Sequence, residues 1–159
     1  MEYITLSKEM LAIVDSNIAK HINEYKWYVS TDGKKQRYYA VTGLGSKNTK
    51  VRMHRFIWEL VNGPIPKKMD IDHVSRDTLD NRLSNLRLAT RSQNNINSKV
   101  RSDNTSGFKG VFYVKGRKSP YWAYIWANKK RIGLGMYKTA EEANQAYQQA
   151  AKKHYKDFA

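Results

Sequence analysis

Three short stretches in the middle of the chain carry residue types that could act together on a phosphodiester. They are Asp70-Ile71-Asp72-His73-Val74, Asn81-Arg82-Leu83-Ser84-Asn85-Leu86-Arg87 and Ser92-Gln93-Asn94-Asn95. Hydrolysing such a bond needs a neutral imidazole to take a proton from water. It also needs a hard divalent cation to neutralise the phosphate and the departing oxygen. His73 can meet the first need. Asp72 and an amide oxygen such as that of Asn94 are oxygen donors suited to magnesium or manganese. An asparagine accepting the other ring N–H would fix the tautomer of His73, and Asn85 could do that. Singly, each stretch is bland, because an Asp-His pair is usually a surface turn and asparagine is a common turn and cap residue. Arg82, Arg87 and Arg91 surround Asn85 and divide between a solvated face and phosphate contact.

The elements that must hold these residues read as a mixed α+β pattern. Tyr3 to Leu6 and Leu11 to Val14 predict short strands, and Asp15 is placed to cap a helix near 16–23. Lys26 to Ser30 and Arg37 to Thr42 flank Asp32-Gly33, a hairpin signal. His54 to Val61 predicts a short helix stopped by Asn62-Gly63-Pro64, and Met69 to Val74 a strand. Further on, Gly107 to Val114, Tyr121 to Ala127 and Arg131 to Leu134 predict three strands, the last two bracketing Asn128-Lys129-Lys130. Thr139-Ala140-Glu141-Glu142 has the capping-box form, and alanines and Tyr147 follow at helical spacing.

Composition sets the partner. The 159 residues carry 29 Lys+Arg against 14 Asp+Glu, a net charge of +15. Residues 106–159 hold +8 of that excess and 11 of the 19 aromatics. With 40% hydrophobic residues the chain can bury cores, so it is not a disordered polycation. No cysteine is present, which excludes disulfides, thiolate zinc sites and cysteine nucleophiles. No apolar run spans a membrane, and Met1-Glu2-Tyr3 lacks the pattern of a secretion signal. The expectation is an intracellular protein with a polyanionic partner and no membrane association. The polar stretch 98–105, including Lys99 and Arg101, reads as a linker able to lie along a nucleic-acid backbone.

From His54 to Asn97 the sequence runs M-H-R-F-I-W…G-P-I-P…D-I-D-H…D-N-R-L-S-N-L-R…S-Q-N-N, and this resembles the HNH endonucleases of phages and their introns. The resemblance implies a ββα-metal motif in which a hairpin and a helix grip one metal ion. It implies His73 as general base, Asn85 as its orienting partner, and Asp72 and Asn94 as ligands of one Mg2+ or Mn2+, with Asn95 a one-residue alternative. Asn94 would stand on a helix at 91–97. Residues 51–55 and the region from Tyr3 to Tyr39 are similar to the leader of phage HNH proteins. A phage-encoded protein acting in a bacterial cytoplasm is the corresponding expectation. His54 is left open between capping, packing and a place beside the phosphate.

Residues 106–159, with S-G-F-K-G-V and L-G-x-Y-x-T-A-E-E-A, resemble an AP2 DNA-binding domain, which implies three antiparallel strands backed by one helix and laid into the major groove. Period-two alternation separately puts Tyr121, Ala123, Ile125 and Ala127 towards the helix and Trp122, Tyr124 and Trp126 outward. Lys109, Phe112 and Arg131 join the outer side, rimmed by Lys115, Arg117 and Lys130. Such a face suits stacking on sugars or bases. Where this chain has Phe112, Trp122, Tyr124 and Trp126, relatives often carry arginines, which weighs against guanine readout and keeps a protein interface open.

The expected fold is α+β, an HNH nuclease domain followed by a small AP2-like domain: 1–53 an N-terminal β-rich part, 54–97 the catalytic motif, 98–105 the linker and 106–159 the DNA-binding domain. The expected function is a metal-dependent, homing-type endonuclease, monomeric on double-stranded DNA. The rival is a non-catalytic, transcription-factor-like protein using the AP2-like sheet.

Overall fold

The computed structural model of the chain describes residues 1–33, 37–44, 49–127 and 129–158. They form two compact units, Met1–Asn94 and Asn95–Ala159.

In the first unit, β1 (Glu2–Thr5) and β2 (Leu11–Val14) pair antiparallel, with Tyr3 opposite Ile13. Helix α1 (Ser16–Asn23) follows, burying Ile18, Ala19 and Ile22, the one apolar stripe its sequence offers. Strands β3 (Tyr28–Thr31), β4 (Tyr38–Leu44) and β5 (Thr49–Arg52) make an antiparallel sheet in that order. The turn between β3 and β4 starts as its Asp-Gly predicts: the Asp32 carboxylate accepts from the Arg37 backbone N–H, and Gly33 has φ +73°. Helix α2 (Met53–Asn62) buries Met53, His54 and Ile57 and ends at Gly63, whose φ of +80° suits a residue without Cβ. Strands β6 (Met69–His73) and β7 (Leu86–Thr90) then pair antiparallel, and helix α3 (Arg91–Ile96) follows directly, giving a β-β-α succession.

One core serves all of this. It draws Ile4, Leu6, Val14, Ile22 and Trp27 from the N-terminal third, Met53 and Ile57 from α2, and Ile71 and Leu86 from the β6–β7 pair. The N-terminal hairpin also reaches the loop between β6 and β7. The Ile13 N–H donates to the Leu79 carbonyl, and the Asn81 N–H donates back to the Ile13 carbonyl, both at 2.8 Å.

Three expectations need correction here. Asp15 occupies the cap position of α1, but its side chain makes no cap bond; the carboxylate instead accepts the Leu83 N–H at 2.7 Å, across 68 residues. Strands β5 and β7 were not foreseen, because Thr-Lys-Val-Arg and Leu-Arg-Leu-Ala-Thr are too short and charged to declare themselves without their partners.

In the second unit, β8 (Val111–Tyr113), β9 (Tyr121–Ala127) and β10 (Lys130–Tyr137) form an antiparallel sheet in the order β10-β9-β8. Strand β10 runs three residues past the expected Leu134, because a bulge between Gly133 and Gly135 restores its register. Asn128 lies outside the described residues. Helix α4 (Ala140–Tyr155) opens with the capping box made by Thr139 and Glu142 and buries Ala143, Tyr147 and Ala151 against Val111, Ala123 and Ile125. The Tyr155 hydroxyl donates to the Trp126 carbonyl at 2.7 Å and ties the far end of the helix to the sheet. Ahead of β8, Asn104 and Ser106 fold the chain on itself through side-chain bonds to each other and to the Phe108 carbonyl.

Candidate functional site

Strand β6 delivers Asp72 and His73 in succession, and both are buried, at 6% and 5% exposure. Neighbouring residues of a strand point to opposite faces, so the two side chains leave the backbone in different directions. Asp72 faces its cross-strand partner Arg87, whose Nε and Nη2 both bond Oδ2 at 2.9 Å. Arg87, open between a solvated face and phosphate contact in the sequence, here lies against a buried carboxylate.

His73 sits among rings and amides. The His54 ring meets it edge to face at 4.8 Å, and Tyr39 packs on His54 at 5.8 Å. Of the three roles left open for His54, packing is the one seen. Burial holds the His54 imidazole well below its ordinary value, helped by the charges of His73, Arg52 and Arg55. Burial also lowers His73, opposed by a hydrogen bond that its ring N–H donates to the Asn81 side chain and by the charges of Asp72, Asp77 and Asp80. Both imidazoles are therefore neutral at pH 7.

Asn81 was not foreseen. It is 1% exposed, held by its own N–H on Ile13 and by Nδ2 on the Leu79 carbonyl at 2.9 Å. Its Oδ1 is buried without another regular hydrogen bond among the described residues and faces the His73 ring. Asn85 has a different place. Its Oδ1 accepts the Ser75 N–H at 2.8 Å, its Nδ2 donates to the Asp80 carbonyl at 2.7 Å, and its own carbonyl accepts the Val74 N–H. Those bonds staple both ends of the loop that leaves His73. The one sequence hint for Asn81 was its position in Asp80-Asn81-Arg82, eight residues after the histidine, which a turn explains equally well.

Asn94 lies on α3, half-buried, whereas Asn95 is exposed. Among the described residues no three His, Cys, Asp or Glu side chains cluster as a metal cage. Asp72 and Asn94 each offer oxygen, and oxygen donors of this hard kind fit a magnesium- or manganese-like ion that keeps water and substrate oxygens as further ligands. Of the nominated cations, Arg82 is bidentate to Asp80 at 2.7 and 2.8 Å, and Arg101 pairs with Asp103. Arg91 and Lys99 are exposed.

The outer face of the C-terminal sheet is a second candidate site. Phe112 and Tyr124 stack in parallel, with centroids 4.9 Å apart and planes 6° from each other, and Trp122 leans on Tyr124 at 4.9 Å. The Arg131 guanidinium covers Trp122 and Tyr124 at 5.0 and 5.4 Å. Trp126, opposite Arg131, is 58% exposed, and Phe112 41%. Lys115, Arg117 and Lys130 are exposed at its margins. Lys109 is not on this face: it precedes β8, and its Nζ donates to the Ile96 carbonyl at 2.6 Å.

The sequence model of a family described as HNH endonuclease matches residues 51–96, which enclose α2, β6, β7 and α3. An uncharacterised HNH endonuclease of Acanthamoeba polyphaga mimivirus is 32% identical over 161 residues, covering 99% of this chain and 79% of that protein. Protein 3.8 of Escherichia phage T7 is 46% identical over 67 residues, 42% of this chain and 55% of that protein, so the match spans about half the phage protein's length. No solved structure matches the chain. The chain belongs to the HNH endonucleases, a family of nucleases acting on DNA, generally with a divalent metal. No helix among the described residues is long and apolar enough to cross a membrane.

Proposed function

We propose that the chain is a metal-dependent endonuclease of homing type that hydrolyses a phosphodiester of double-stranded DNA. The observation that carries this reading is His73: a buried imidazole that follows the buried Asp72 along β6 and whose pKa burial lowers, with an amide oxygen directed at its ring. One ring nitrogen is held by Asn81, and the other takes the proton of the attacking water. The resulting hydroxide attacks phosphorus and the 3′ oxygen leaves. A divalent ion, held by Asp72 and Asn94 with DNA oxygens, would supply positive charge to the phosphate and leaving oxygen. Arg87 keeps the Asp72 carboxylate in place. Asn85 acts on the loop rather than on the imidazole.

The Asn95–Ala159 unit serves as the DNA-recognition part. Three antiparallel strands backed by one helix support an AP2-like reading of it, and its aromatic face with Arg131 suits sugars, base edges and thymine methyls. The chain works as a monomer inside the infected bacterial cell, on a long site that two units together can span.

The test is incubation of supercoiled phage-like DNA with magnesium, with and without EDTA, for wild type and His73→Ala. Nicked or linear product is expected with the metal and none with the chelator. His73→Ala should bind DNA normally and lose about 10²–10⁴-fold in rate. Wild-type cleavage by that variant removes His73 from the mechanism, and tight binding without any cleavage by wild type leaves only the DNA-binding rival.

A further inference from the structure

The arginines of the nuclease unit differ in what holds them. Arg82 and Arg87 are bidentate to Asp80 and Asp72, and Arg55 lies 3.5 Å from Asp70. Arg52 has no carboxylate within ion-pair distance among the described residues. It is the last residue of β5, opposite Val41, and it is exposed. Its guanidinium lies 4.4 Å over the centroid of Tyr39. Tyr39 packs on His54 and His54 on His73, so three ring contacts connect this cation to the proposed base.

That arrangement leaves a specific capacity unused. A guanidinium whose carbon lies over a ring engages its π surface and leaves N–H donors, five in all, for another partner. The planar fork matches the paired oxygens of a phosphodiester. The ring restricts the side chain beforehand, so less freedom is lost when the phosphate arrives. The charge of Arg52 is also felt at the buried His54, which places it in the electrostatic neighbourhood of the site.

We propose that Arg52 is a phosphate clamp for the DNA strand that is cut, gripping a phosphodiester one or two nucleotides from the bond that His73 addresses. The proposal rests on the nuclease reading of this unit and names a substrate contact within it. Arg52 sets where the strand lies, and it takes no proton.

Two measurements on the full-length chain test it. Duplex affinity is followed against salt for wild type, Arg52→Ala and Arg52→Lys, with thermal melts checking that all three are folded. Each phosphate contact contributes about 0.9 to the slope of log affinity against log salt. Arg52→Ala should flatten the slope by about one and weaken binding roughly 10-fold on any DNA sequence, while Arg52→Lys recovers most of the slope and less of the affinity. In the second measurement single phosphates around the cut are replaced by neutral methylphosphonates. Wild type should lose affinity at one position near the cut, and Arg52→Ala should be indifferent there. A normal wild-type slope that Arg52→Ala leaves unchanged, or an Ala variant still sensitive at that position, overturns the clamp alone. A wild-type slope near zero overturns the DNA reading on which it stands.

Discussion

Gly110 is the position at which one methyl group should matter most. It has φ +66°, and a Cβ placed there would lie 2.3 Å from Cδ2 and Cε2 of Tyr147 and 2.6 Å from the Tyr124 carbonyl oxygen. Ordinary carbon contacts are about 3.5–4.0 Å. Neither neighbour can retreat cheaply. Tyr147 is a buried residue of α4 packed on Ile125, and the Gly110 carbonyl accepts the Tyr124 N–H at 2.9 Å, so moving the backbone strains that bond. A left-handed conformation costs a residue with Cβ about 1–2 kcal/mol, and overpacking costs about 1–3 kcal/mol more. Gly110→Ala should therefore destabilise the second unit by about 2–5 kcal/mol. A unit of this length has roughly 3–10 kcal/mol in total. At about 4–8 °C per kcal/mol, the melting point should drop by roughly 8 °C or more. The tryptophans assign the change: Trp122 and Trp126 belong to the second unit, Trp27 and Trp58 to the first. Phenylalanine replacements of one pair at a time let fluorescence melts follow each unit separately. The second unit should melt early and the first at its usual temperature. A shift below about 2 °C, or one confined to Trp27 and Trp58, would refute the packing argument.

Other outcomes follow from the first unit. Asn81→Ala should lower kcat about 10–100-fold with KM little changed, because the imidazole loses its orienting acceptor. Asn85→Ala should instead cost about 1–3 kcal/mol of stability, since it strands the Ser75 N–H and the Asp80 carbonyl; a kcat loss without any change in melting would return the orienting role to Asn85. Because burial lowers the pKa of His73, the acidic limb of kcat/KM should lie below pH 6.5, and a midpoint above 6.5 contradicts that environment. Stability should follow the same sign. His54 and His73 both bind a proton more readily unfolded than folded, so stability is fully present above about pH 6.5 and falls as the pH drops, by up to about 1.4 kcal/mol per pH unit for each. Denaturant titrations between pH 5 and 7 should give a shallower pH dependence for His54→Gln than for wild type.

Much of the scaffold was legible because its signals are local. The stop of α2 at Gly63, the capping box at Thr139 and the alternation along β9 are each determined within a few residues of the chain. What was not legible depends on partners far away. Leu86 to Thr90 becomes a strand because it lies against Met69 to His73, and Asp15 abandons its cap because the Leu83 N–H needs an acceptor. The site divides the same way. Asp72 and His73 stand out by type and adjacency, and the fold buries both. The choice between two asparagines of one loop did not, because Asn81 is turned towards His73 by the backbone of Ile13, an element 68 residues earlier. Arg82 and Arg87 looked like phosphate ligands from their charge, and only the fold puts an aspartate in front of each.

The hydrogen bonds between Ile13 and the loop at Leu79 and Asn81 bear on how this enzyme can be re-engineered. The family match starts at residue 51, which invites treating that stretch as a cassette to be grafted onto other DNA-binding proteins. Most of the core it packs on, however, comes from residues before it, Ile4, Val14, Ile22 and Trp27 among them, and the loop that carries Asn81 is tied to a strand that a graft would leave behind. The smallest transplantable unit thus begins with the opening hairpin, and chimaeras should be spliced after α3.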